Sequence, residues 1–553
     1  FSIFLKRKFQ FEMTKKRCAI VGAAVSGLPS ARWALAYDFE PVIFERLDKI
    51  GGLWRYKPEQ FNPELASVMK STVIDTSKEM NAYSDFPPPE HFANYMHNTQ
   101  MLAYLELYTE HHGLYQYIRF HNTVLAIRRA DDYSRNGRWS VKWRDENGTE
   151  REEEFEAVIL AQGHHAKPKI VKFEGQNKFE GDIIHSHDYK NSKEYEDKVN
   201  VVVGAGNSAM DLAVELGRVG KKCYLSTRRG AWIGKRVGEG GIPEDCLFNT
   251  RFKVCVLNRI LPQAFTNWLF IRQCQKRFDH AKYGIMPGHG FFSQHLTVSD
   301  DLPCRIITGS VQVKPDIREF TSHGIVWADG TVTDDIDKIV MATGYLFNFD
   351  LVENGQLIPV KDNTVWLYKN MLAPQLADWN TLAIVGLAQP SGAIHPVAEM
   401  QARLFFAALC GDAKLPTREG MEHDIDRAQA ELAKAFVKST RHTIEVNYIL
   451  FMDELAELIG CQPNPVDFAF SKPRLAHALL FGPNVSYVYR LRGPKAWDGA
   501  EEAILDIPRR MDLCLSGRKV KEAPTTEWAE IRSVLALIVA IMVIGVYLLR
   551  ALI

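Results

Sequence analysis

The chain has 553 residues, which leaves room for about three domains and a large core. Lys plus Arg and Asp plus Glu both number 67, and this neutral balance argues against a nucleic-acid-binding protein, which would carry a basic surface. The nine cysteines are scattered, odd in number and contain no CxxC pair, so we expect no disulfide framework, no zinc or other metal site and no redox dithiol.

The first twelve residues differ in pattern from the rest of the chain. Residues 1–12 place a short apolar run before Lys6, Arg7 and Lys8, which is the reverse of the order found in a secretory signal. We therefore treat residues 1–12 as an upstream or added segment and expect the fold to begin near Met13.

A strand, a glycine-rich turn and a helix open the first predicted domain. Arg17–Gly22 is predicted to be a buried strand, the turn runs Gly22-Ala23-Ala24-Val25-Ser26-Gly27, and Ser26–Tyr37 has a helical pattern. Such a turn suits a pyrophosphate, because glycine permits a close backbone approach and the helix N-terminus supplies free N–H groups. Ala24 replaces the middle glycine of the usual motif, and we expect its methyl group to weaken phosphate binding slightly.

The next predicted strand, Pro41–Glu45, ends in a carboxylate. Glu45 can accept hydrogen bonds from a ribose diol and would repel a 2′-phosphate, which favours FAD in this domain; the alternative is a solvated surface acid. The turn Gly51-Gly52-Leu53-Trp54 comes directly after it and could continue along the same long dinucleotide.

A second strand, turn and helix begins at Val199. Its turn is Gly204-Ala205-Gly206-Asn207-Ser208-Ala209, followed by Met210 and Asp211. At the end of the next strand the acid is absent, and Arg228 and Arg229 stand in its place. Guanidinium groups pair with phosphate oxygens, so this domain is predicted to prefer NADPH over NADH; the alternative is two solvated loop arginines.

The chain is predicted to form two nested α/β domains of the Rossmann type. Two further buried strands, Asp337–Gly344 and Asn380–Gly386, are expected to return the chain to the first sheet, so that the NADPH domain is inserted in the FAD domain. The predicted boundaries are 13–165 for the first part of the FAD domain, 166–330 for the NADPH domain and 331–411 for the second part of the FAD domain.

The rest of the chain has features typical of a membrane-associated protein. At about residues 250–290, apolar residues are interrupted by arginines and lysines, which fits either an element on a membrane surface or a partly buried helical insertion. Residues 412–530 are predicted to be mostly helical, and the apolar residues 531–553 to form a transmembrane anchor helix. The excess of Lys and Arg before this helix places the body on the cytoplasmic side.

Two nucleotide sites of different preference imply hydride transfer from NADPH to a flavin. Flavin disulfide reductases share this plan, but they need a reactive cysteine pair near the flavin, and the sequence has none. Ferredoxin-type reductases and oxygenases both remain open on these residues alone.

Between the two turns, Phe179–Tyr189 carries the spacing FxGxxxHxxx(F/Y). Together with FERLDKIGGLWRY, STRRGAW, RVGEGGIP, ATGY and GLAQPSGAIHPVAEMQAR in this order along the chain, it resembles the class B flavin-containing monooxygenases of the animal microsomal, N-oxide-forming type. The resemblance implies that NADPH reduces FAD, that O2 adds to the flavin C4a to give a hydroperoxide, and that a soft nucleophile takes the distal oxygen.

The resemblance also implies partners and a location. Substrates would be small lipophilic amines or sulfur compounds, with O2 as the co-substrate and no role for nucleic acid. The protein would be anchored C-terminally in the endoplasmic reticulum membrane, in contact with the lipid bilayer. A homodimer is left open.

The resemblance transfers site residues position by position. The cofactor-binding residues that it implies are Gly22, Ala23, Ala24, Val25, Ser26, Gly27, Glu45, Gly52, Leu53, Trp54, Ile74, Asp75 and Thr76 on the FAD side, Gly204, Gly206, Asn207, Ser208, Ala209, Met210, Asp211, Arg228 and Arg229 on the NADPH side, Thr343 and Gly344 in the ATGY motif, and Gln389 near the flavin. Asp75 and Asn207 are the two positions implied to take part in catalysis.

Asp75 departs from the family pattern, which usually has asparagine there. A carboxylate only accepts hydrogen bonds, so beside the flavin it should destabilise an anionic oxygen adduct or carry a raised pKa. The hypothesis is that this chain leaks more peroxide than a typical member or oxygenates another substrate class. Baeyer–Villiger oxygenation of ketones and a largely uncoupled NADPH oxidase that produces peroxide are therefore the alternative functions.

Overall fold

The computed structural model describes residues 15–59, 62–515, 517, 518 and 536. The upstream segment 1–12 and, except for Ala536, the predicted anchor helix 531–553 lie outside these described residues. Within the described residues, no helix is both long enough and apolar enough to cross a membrane.

The first sheet has five parallel strands. In spatial order they are Leu382–Ile384, Ala157–Leu160, Arg17–Val21, Glu40–Phe44 and Ile118–Arg119. The three central strands are buried along nearly their whole length, which fits their aliphatic sequences, because a parallel sheet is covered on both faces. The helix Gly27–Ala36 connects the strands Arg17–Val21 and Glu40–Phe44 and contacts both of them.

The second sheet also has five parallel strands. In spatial order they are Val311–Lys314, Lys222–Ser226, Val199–Val203, Lys338–Met341 and Asp182–His185. The helix Asn207–Val219 follows Val199–Val203 and packs against that strand and against Lys222–Ser226. The prediction of two Rossmann-like α/β units is therefore confirmed.

One predicted strand lies in a different sheet from the one expected. Lys338–Met341, within the segment Asp337–Gly344, pairs with Val199–Val203 and Asp182–His185 in the second sheet, so its expected return to the first sheet is wrong. A fully buried strand is apolar on both faces, and nothing in such a pattern tells which sheet it joins. Leu382–Ile384 does join the first sheet. The chain therefore crosses back after residue 341 and not at residue 331.

Smaller antiparallel and short paired strands complete the β structure. One three-stranded sheet consists of Thr123–Arg129, Trp139–Arg144 and Glu150–Phe155, and another of Ile317–Phe320, Ile325–Trp327 and Val332–Thr333. Short strands pair Lys167–Pro168 with Tyr345–Leu346, Ile233–Gly234 with Thr297–Val298, and Gln389–Pro390 with Glu445–Val446. The last pair attaches the C-terminal region to the loop after the first sheet.

The remaining helices belong mainly to the insertion and to the C-terminal region. The insertion comprises Glu244–Phe248, a wide π-type helix at Phe252–Leu257, Asn258–Ile260 and Gln263–Arg277. Further along the chain are Ile394–Leu409, Arg418–Ala435, Tyr448–Ile459, Pro473–Phe481 and Ala500–Leu513. The other helices are Asn98–His111, Tyr133–Asn136 and Leu302–Ile307.

Buried ion pairs hold the C-terminal helices to the rest of the molecule. Arg251 of the insertion donates to Asp453, with Nη1 2.8 Å from Oδ2. Arg510 donates to the fully buried Glu79, with Nε 3.0 Å from Oε1. Removing one partner of such a pair costs about 3–5 kcal/mol, because it leaves the other charge buried and unpaired. These contacts therefore fix the position of the C-terminal region.

Candidate functional site

A large cavity lies where the two Rossmann-like units meet the insertion and the C-terminal region. Its volume is about 1370 Å³. A pocket for a single small ligand has ~300–1,000 Å³, so this space can hold more than one ligand group. The predicted site residues that line it are Leu53, Trp54, Ile74, Asp75, Thr76, Gly204, Gly206, Asn207, Ser208, Ala209, Asp211, Arg228, Arg229, Thr343, Gly344 and Gln389.

The other predicted residues lie outside this lining. Gly22, Ala23, Ala24, Val25, Ser26, Gly27, Glu45 and Gly52 lie at the carboxyl end of the first sheet, next to Leu53 and Trp54. Met210 is fully buried in the core of the second unit and does not line the cavity, so its predicted contact with the cofactor stays a prediction. Helical periodicity turns Met210 toward the sheet.

The first glycine-rich turn is built for a close backbone approach. Gly22 has a φ of +108°, and a Cβ there would lie 2.7 Å from the carbonyl oxygen of Ala161. A Cβ on Gly27 would lie 1.8 Å from the carbonyl oxygen of Gly22, so only glycine lets the helix begin this close to the strand. The turn therefore fits the pyrophosphate of a dinucleotide.

The methyl group of Ala24 has room beside the second glycine turn. A Cβ on Gly52 would lie 2.7 Å from the Cβ of Ala24, so the absence of a side chain at Gly52 leaves the space that this methyl needs. The N–H of Gly51 donates to the carbonyl oxygen of Ala23 at 3.0 Å and joins the two turns. The alanine that replaces the usual middle glycine therefore fits between the two turns without a steric clash.

Glu45 is buried at the carboxyl end of the first sheet. Its Oε2 accepts from the N–H of Ala23 and its Oε1 from the N–H of Leu47, both at 2.9 Å. The carboxylate therefore fixes the turn and is not the solvated surface acid of the alternative interpretation. Each oxygen keeps a lone pair that a ribose hydroxyl could use.

The second glycine-rich turn has the same construction at a different sheet. Gly204 has a φ of +141°, and a Cβ there would lie 2.5 Å from the carbonyl oxygen of Ala342. Arg228 and Arg229 follow the strand Lys222–Ser226, are exposed, and make no ion pair within the described part of the chain. Unpaired guanidinium groups at this position fit the 2′-phosphate of NADPH.

Asn207 begins the helix that follows the second turn. Its Oδ1 accepts from the N–H of Val298 at 3.0 Å, which fixes the side chain on a neighbouring strand. The two N–H groups of the amide are then the donors left for a cofactor.

Asp75 lines the cavity and forms an ion pair that the sequence did not show. Nη2 of Arg236 donates to its Oδ1 at 2.6 Å, and Nη1 of Arg236 lies 3.5 Å from Oδ2 of Asp300. Burial raises the pKa of the Asp75 carboxyl, and the Arg236 guanidinium opposes that rise. The negative charge expected at Asp75 is therefore partly offset by a cation of the second unit.

Asp211 lies in the second turn of the helix Asn207–Val219 and lines the cavity. Burial, and then the charge of Asp75, raise the pKa of its carboxyl to about 7, while the Arg236 guanidinium opposes the rise. Near neutral pH, this wall of the cavity therefore contains a carboxyl group that is partly ionised.

Two functional candidates were not found from the sequence, although both lie in motifs that carry the resemblance. Arg236 is in RVGEGGIP and His395 in GLAQPSGAIHPVAEMQAR, and a motif does not show which residue its side chain contacts. His395 lines the cavity with its ring centroid 6.5 Å from that of Trp54, and burial lowers its pKa to about 3. Neither ring nitrogen has a hydrogen-bond partner among the described residues. Such buried orphan atoms are rare and fit a polar ligand held beside Trp54.

These features define a class of protein. One glycine-rich turn carries a carboxylate, the other carries unpaired arginines, and one cavity extends from Leu53 and Trp54 to the second turn. That arrangement is typical of an oxidoreductase that brings a flavin and a phosphorylated nicotinamide nucleotide together. Among the described residues, no group of His, Cys, Asp or Glu side chains is arranged to hold a metal ion.

Comparison with known proteins identifies the family. Residues 15–549 match the family described as flavin-binding monooxygenase-like. The chain is 44% identical over 515 residues to flavin-containing monooxygenase 5 of Cavia porcellus, which is 92% of this chain and 95% of that protein. It is 39% identical over 530 residues to dimethylaniline monooxygenase (N-oxide-forming) 2 of Rattus norvegicus, which is 95% of this chain and 98% of that protein.

A solved structure supports the fold. S-allyl-L-cysteine S-oxygenase from Allium sativum superposes with a TM-score of 0.61 at 23% identity, over 80% of this chain and 88% of that chain. The chain belongs to the flavin-binding monooxygenase-like family, and the resemblance found in the sequence is confirmed. It is a flavin-dependent monooxygenase that uses FAD, NADPH and O2.

The carboxyl of Asp211 predicts a pH dependence of nucleotide binding. With a pKa of about 7, it is mostly neutral at pH 6 and mostly charged at pH 8. A charged carboxylate repels phosphate, so NADP+ affinity should fall by about threefold over this range beyond the change caused by the titration of the ligand. Calorimetric titration of the unaltered protein and of Asp211→Asn with NADP+ at both pH values separates the titration of Asp211 from the titration of the ligand. The ligand titrates equally in both experiments, whereas only the unaltered protein has the Asp211 carboxyl. Equal pH dependence in both proteins would contradict the prediction.

Proposed function

We propose that the protein oxygenates the nitrogen or sulfur of small lipophilic compounds with O2 and NADPH. The observation that carries this substrate class is an aromatic wall of the cavity. Phe270 stacks on Phe291 with ring centroids 5.3 Å apart, and it meets Phe248 and Phe292 edge to face at 5.4 and 5.0 Å. Such a wall favours apolar ligands, which fits selection by shape and nucleophilicity.

The two cofactors are assigned to the two turns. FAD is placed at the first turn, with Glu45 toward its ribose and Trp54 toward its flavin, and NADPH at the second turn, with Arg228 and Arg229 on its 2′-phosphate. Asn207 is assigned as a donor to NADPH. When bound, reduced FAD supplies the activation of O2 and the transfer of one oxygen atom. The chain itself binds, orients and excludes water.

A comparison of products tests this function. The full-length protein with FAD is given NADPH and O2 with, in turn, a thioether, a tertiary amine, a cyclic ketone or no substrate. We expect sulfoxide or N-oxide in amounts equal to the NADPH consumed. Ester from the ketone as the main product would favour Baeyer–Villiger oxygenation, and hydrogen peroxide as the only product in every case would overturn the proposal.

The Asp75–Arg236 ion pair supports ketone oxygenation as a second candidate. It puts a carboxylate in the cavity wall, backed by a guanidinium, at the position where the family usually has an amide. Charges beside a flavin influence which kind of oxygen transfer a bound flavin would supply, and the Asp75–Arg236 pair would act on that choice.

The carboxylate of Asp75 predicts the loss of reducing equivalents as peroxide. Asp75→Asn should lower the hydrogen peroxide released per NADPH consumed by about threefold, which corresponds to about 0.7 kcal/mol of electrostatic destabilisation removed. Asp300→Asn is the matched control, because it removes a charge from the other side of Arg236. We expect the control to leave peroxide release unchanged. The same peroxide yield in Asp75→Asn and the unaltered protein would contradict the prediction.

We also propose that the insertion contacts a membrane, at the cytoplasmic face of the endoplasmic reticulum. The helix Gln263–Arg277 exposes Phe265, Trp268 and Leu269 by 44%, 50% and 41%, and the guanidinium of Arg272 lies 5.3 Å from a Trp268 ring centroid. Apolar rings flanked by arginine suit the interfacial region of a bilayer. A homodimer contact is the other explanation for such an exposed apolar surface.

Tryptophan quenching tests the membrane contact. Vesicles with brominated acyl chains should quench part of the tryptophan fluorescence, because the bromine atoms contact only rings inserted in the bilayer. This quenched part should be absent in Trp268→Phe. Trp366, exposed by 47% and outside the insertion, provides the matched control Trp366→Phe, which should leave the quenched part unchanged. Equal quenching in the unaltered protein and in Trp268→Phe, with dimers in solution, would instead favour the homodimer contact.

A further inference from the structure

A segment between two C-terminal helices crosses the edge of the cavity. This strap, residues 437–446, is fixed to both Rossmann-like units. Nδ1 of His295 lies 3.0 Å from Oε2 of Glu445, on the side of the second unit. The N–H of Gln389 donates to the carbonyl oxygen of Ile444 at 2.8 Å, on the side of the first unit. The strap therefore holds its side chains in defined positions over the cavity.

Arg441 of the strap stands against the second turn. A Cβ on Gly206 would lie 3.0 Å from Nη1, 3.1 Å from Nη2 and 3.2 Å from Cζ of Arg441. Gly206 directly precedes the helix Asn207–Val219, so the guanidinium lies beside that helix N-terminus. Its side chain makes no hydrogen bond and no ion pair within the described part of the chain. Burial lowers its pKa, and the charge of Glu445 opposes that change. A partly desolvated cation that no described carboxylate contacts directly is thus placed at this turn.

The middle glycine of such a turn is the point where the pyrophosphate of a dinucleotide comes closest to the backbone. A guanidinium at that point has the fork geometry that pairs with two phosphate oxygens. We propose that Arg441 binds the pyrophosphate of NADPH from a position beside the middle glycine of the turn. This inference rests on the proposed assignment of NADPH to the second turn.

The inference separates two groups of arginines by the phosphate that each contacts. Arg228 and Arg229 are assigned to the 2′-phosphate, which NADP+ has and NAD+ lacks. The pyrophosphate is common to both nucleotides. Arg441 therefore adds affinity for either nucleotide, whereas Arg228 and Arg229 add affinity for NADP+ alone.

Calorimetric titration of the oxidised, FAD-containing full chain with NADP+ and with NAD+ tests this division. Arg441→Gln should weaken both nucleotides by about tenfold and leave their affinity ratio unchanged. Arg441→Lys keeps the charge but not the fork and should weaken both by about threefold. Arg229→Gln should weaken NADP+ alone and so change the ratio.

Lys438→Gln is the matched control for charge. Lys438 belongs to the same strap but is exposed and does not line the cavity, so its removal should leave both affinities unchanged. The unfolding temperature without nucleotide, measured for each variant, shows whether the strap is intact.

Two outcomes distinguish failure of the inference from failure of its premise. The inference about Arg441 fails if Arg441→Gln leaves both nucleotide affinities unchanged, or if Lys438→Gln lowers them as much as Arg441→Gln does. If Arg229→Gln still changes the ratio of the two affinities, the assignment of NADPH to the second turn stands. If Arg228→Gln and Arg229→Gln both leave the NADP+ affinity unchanged, the assignment of NADPH to the second turn is itself overturned.

Discussion

The structure depends on how closely a polypeptide backbone can approach a pyrophosphate. At Gly22, Gly27 and Gly204, a Cβ would lie 2.7, 1.8 and 2.5 Å from a carbonyl oxygen, so any side chain would push the turn away from its neighbouring strand or the helix away from its turn. The helix N-terminus would then lose its place beside the ligand. Both turns lie at the carboxyl ends of parallel strands. The large cavity reaches the second turn directly and borders the first unit through Leu53 and Trp54, so both units face one space.

The two Rossmann-like units could be predicted because each turn is coded by residues close together in the sequence. The order in which the chain joins the two sheets could not, as the strand Lys338–Met341 shows. A buried parallel strand carries apolar residues on both faces whichever sheet it enters, so its partner is decided by tertiary packing. The same limit applies to the insertion. Its composition fits either an element on a membrane surface or a partly buried helix, and the exposure of Trp268 favours the membrane-surface element.

The sequence predicted many of the residues that line the cavity, but it did not show how their charges are paired. Arg228 and Arg229 were identified because they follow a strand at a fixed distance from a glycine-rich turn. The partner of Asp75 could not be identified in this way, since Arg236 lies far along the chain and approaches through the fold. The carboxylate of Asp75, which the sequence presents as an isolated charge, is therefore part of an ion pair in the structure.

The arginines in and beside the cavity differ in whether a carboxylate contacts them. Arg236 contacts Asp75 and Asp300, and an arginine satisfied by two carboxylates has little left to offer a phosphate. Arg228, Arg229 and Arg441 have no such partner in the described part of the chain. The ion pair between Arg251 and Asp453 fixes the helix Tyr448–Ile459, which follows the strap directly, so it also helps to hold the strap and Arg441 at the edge of the cavity.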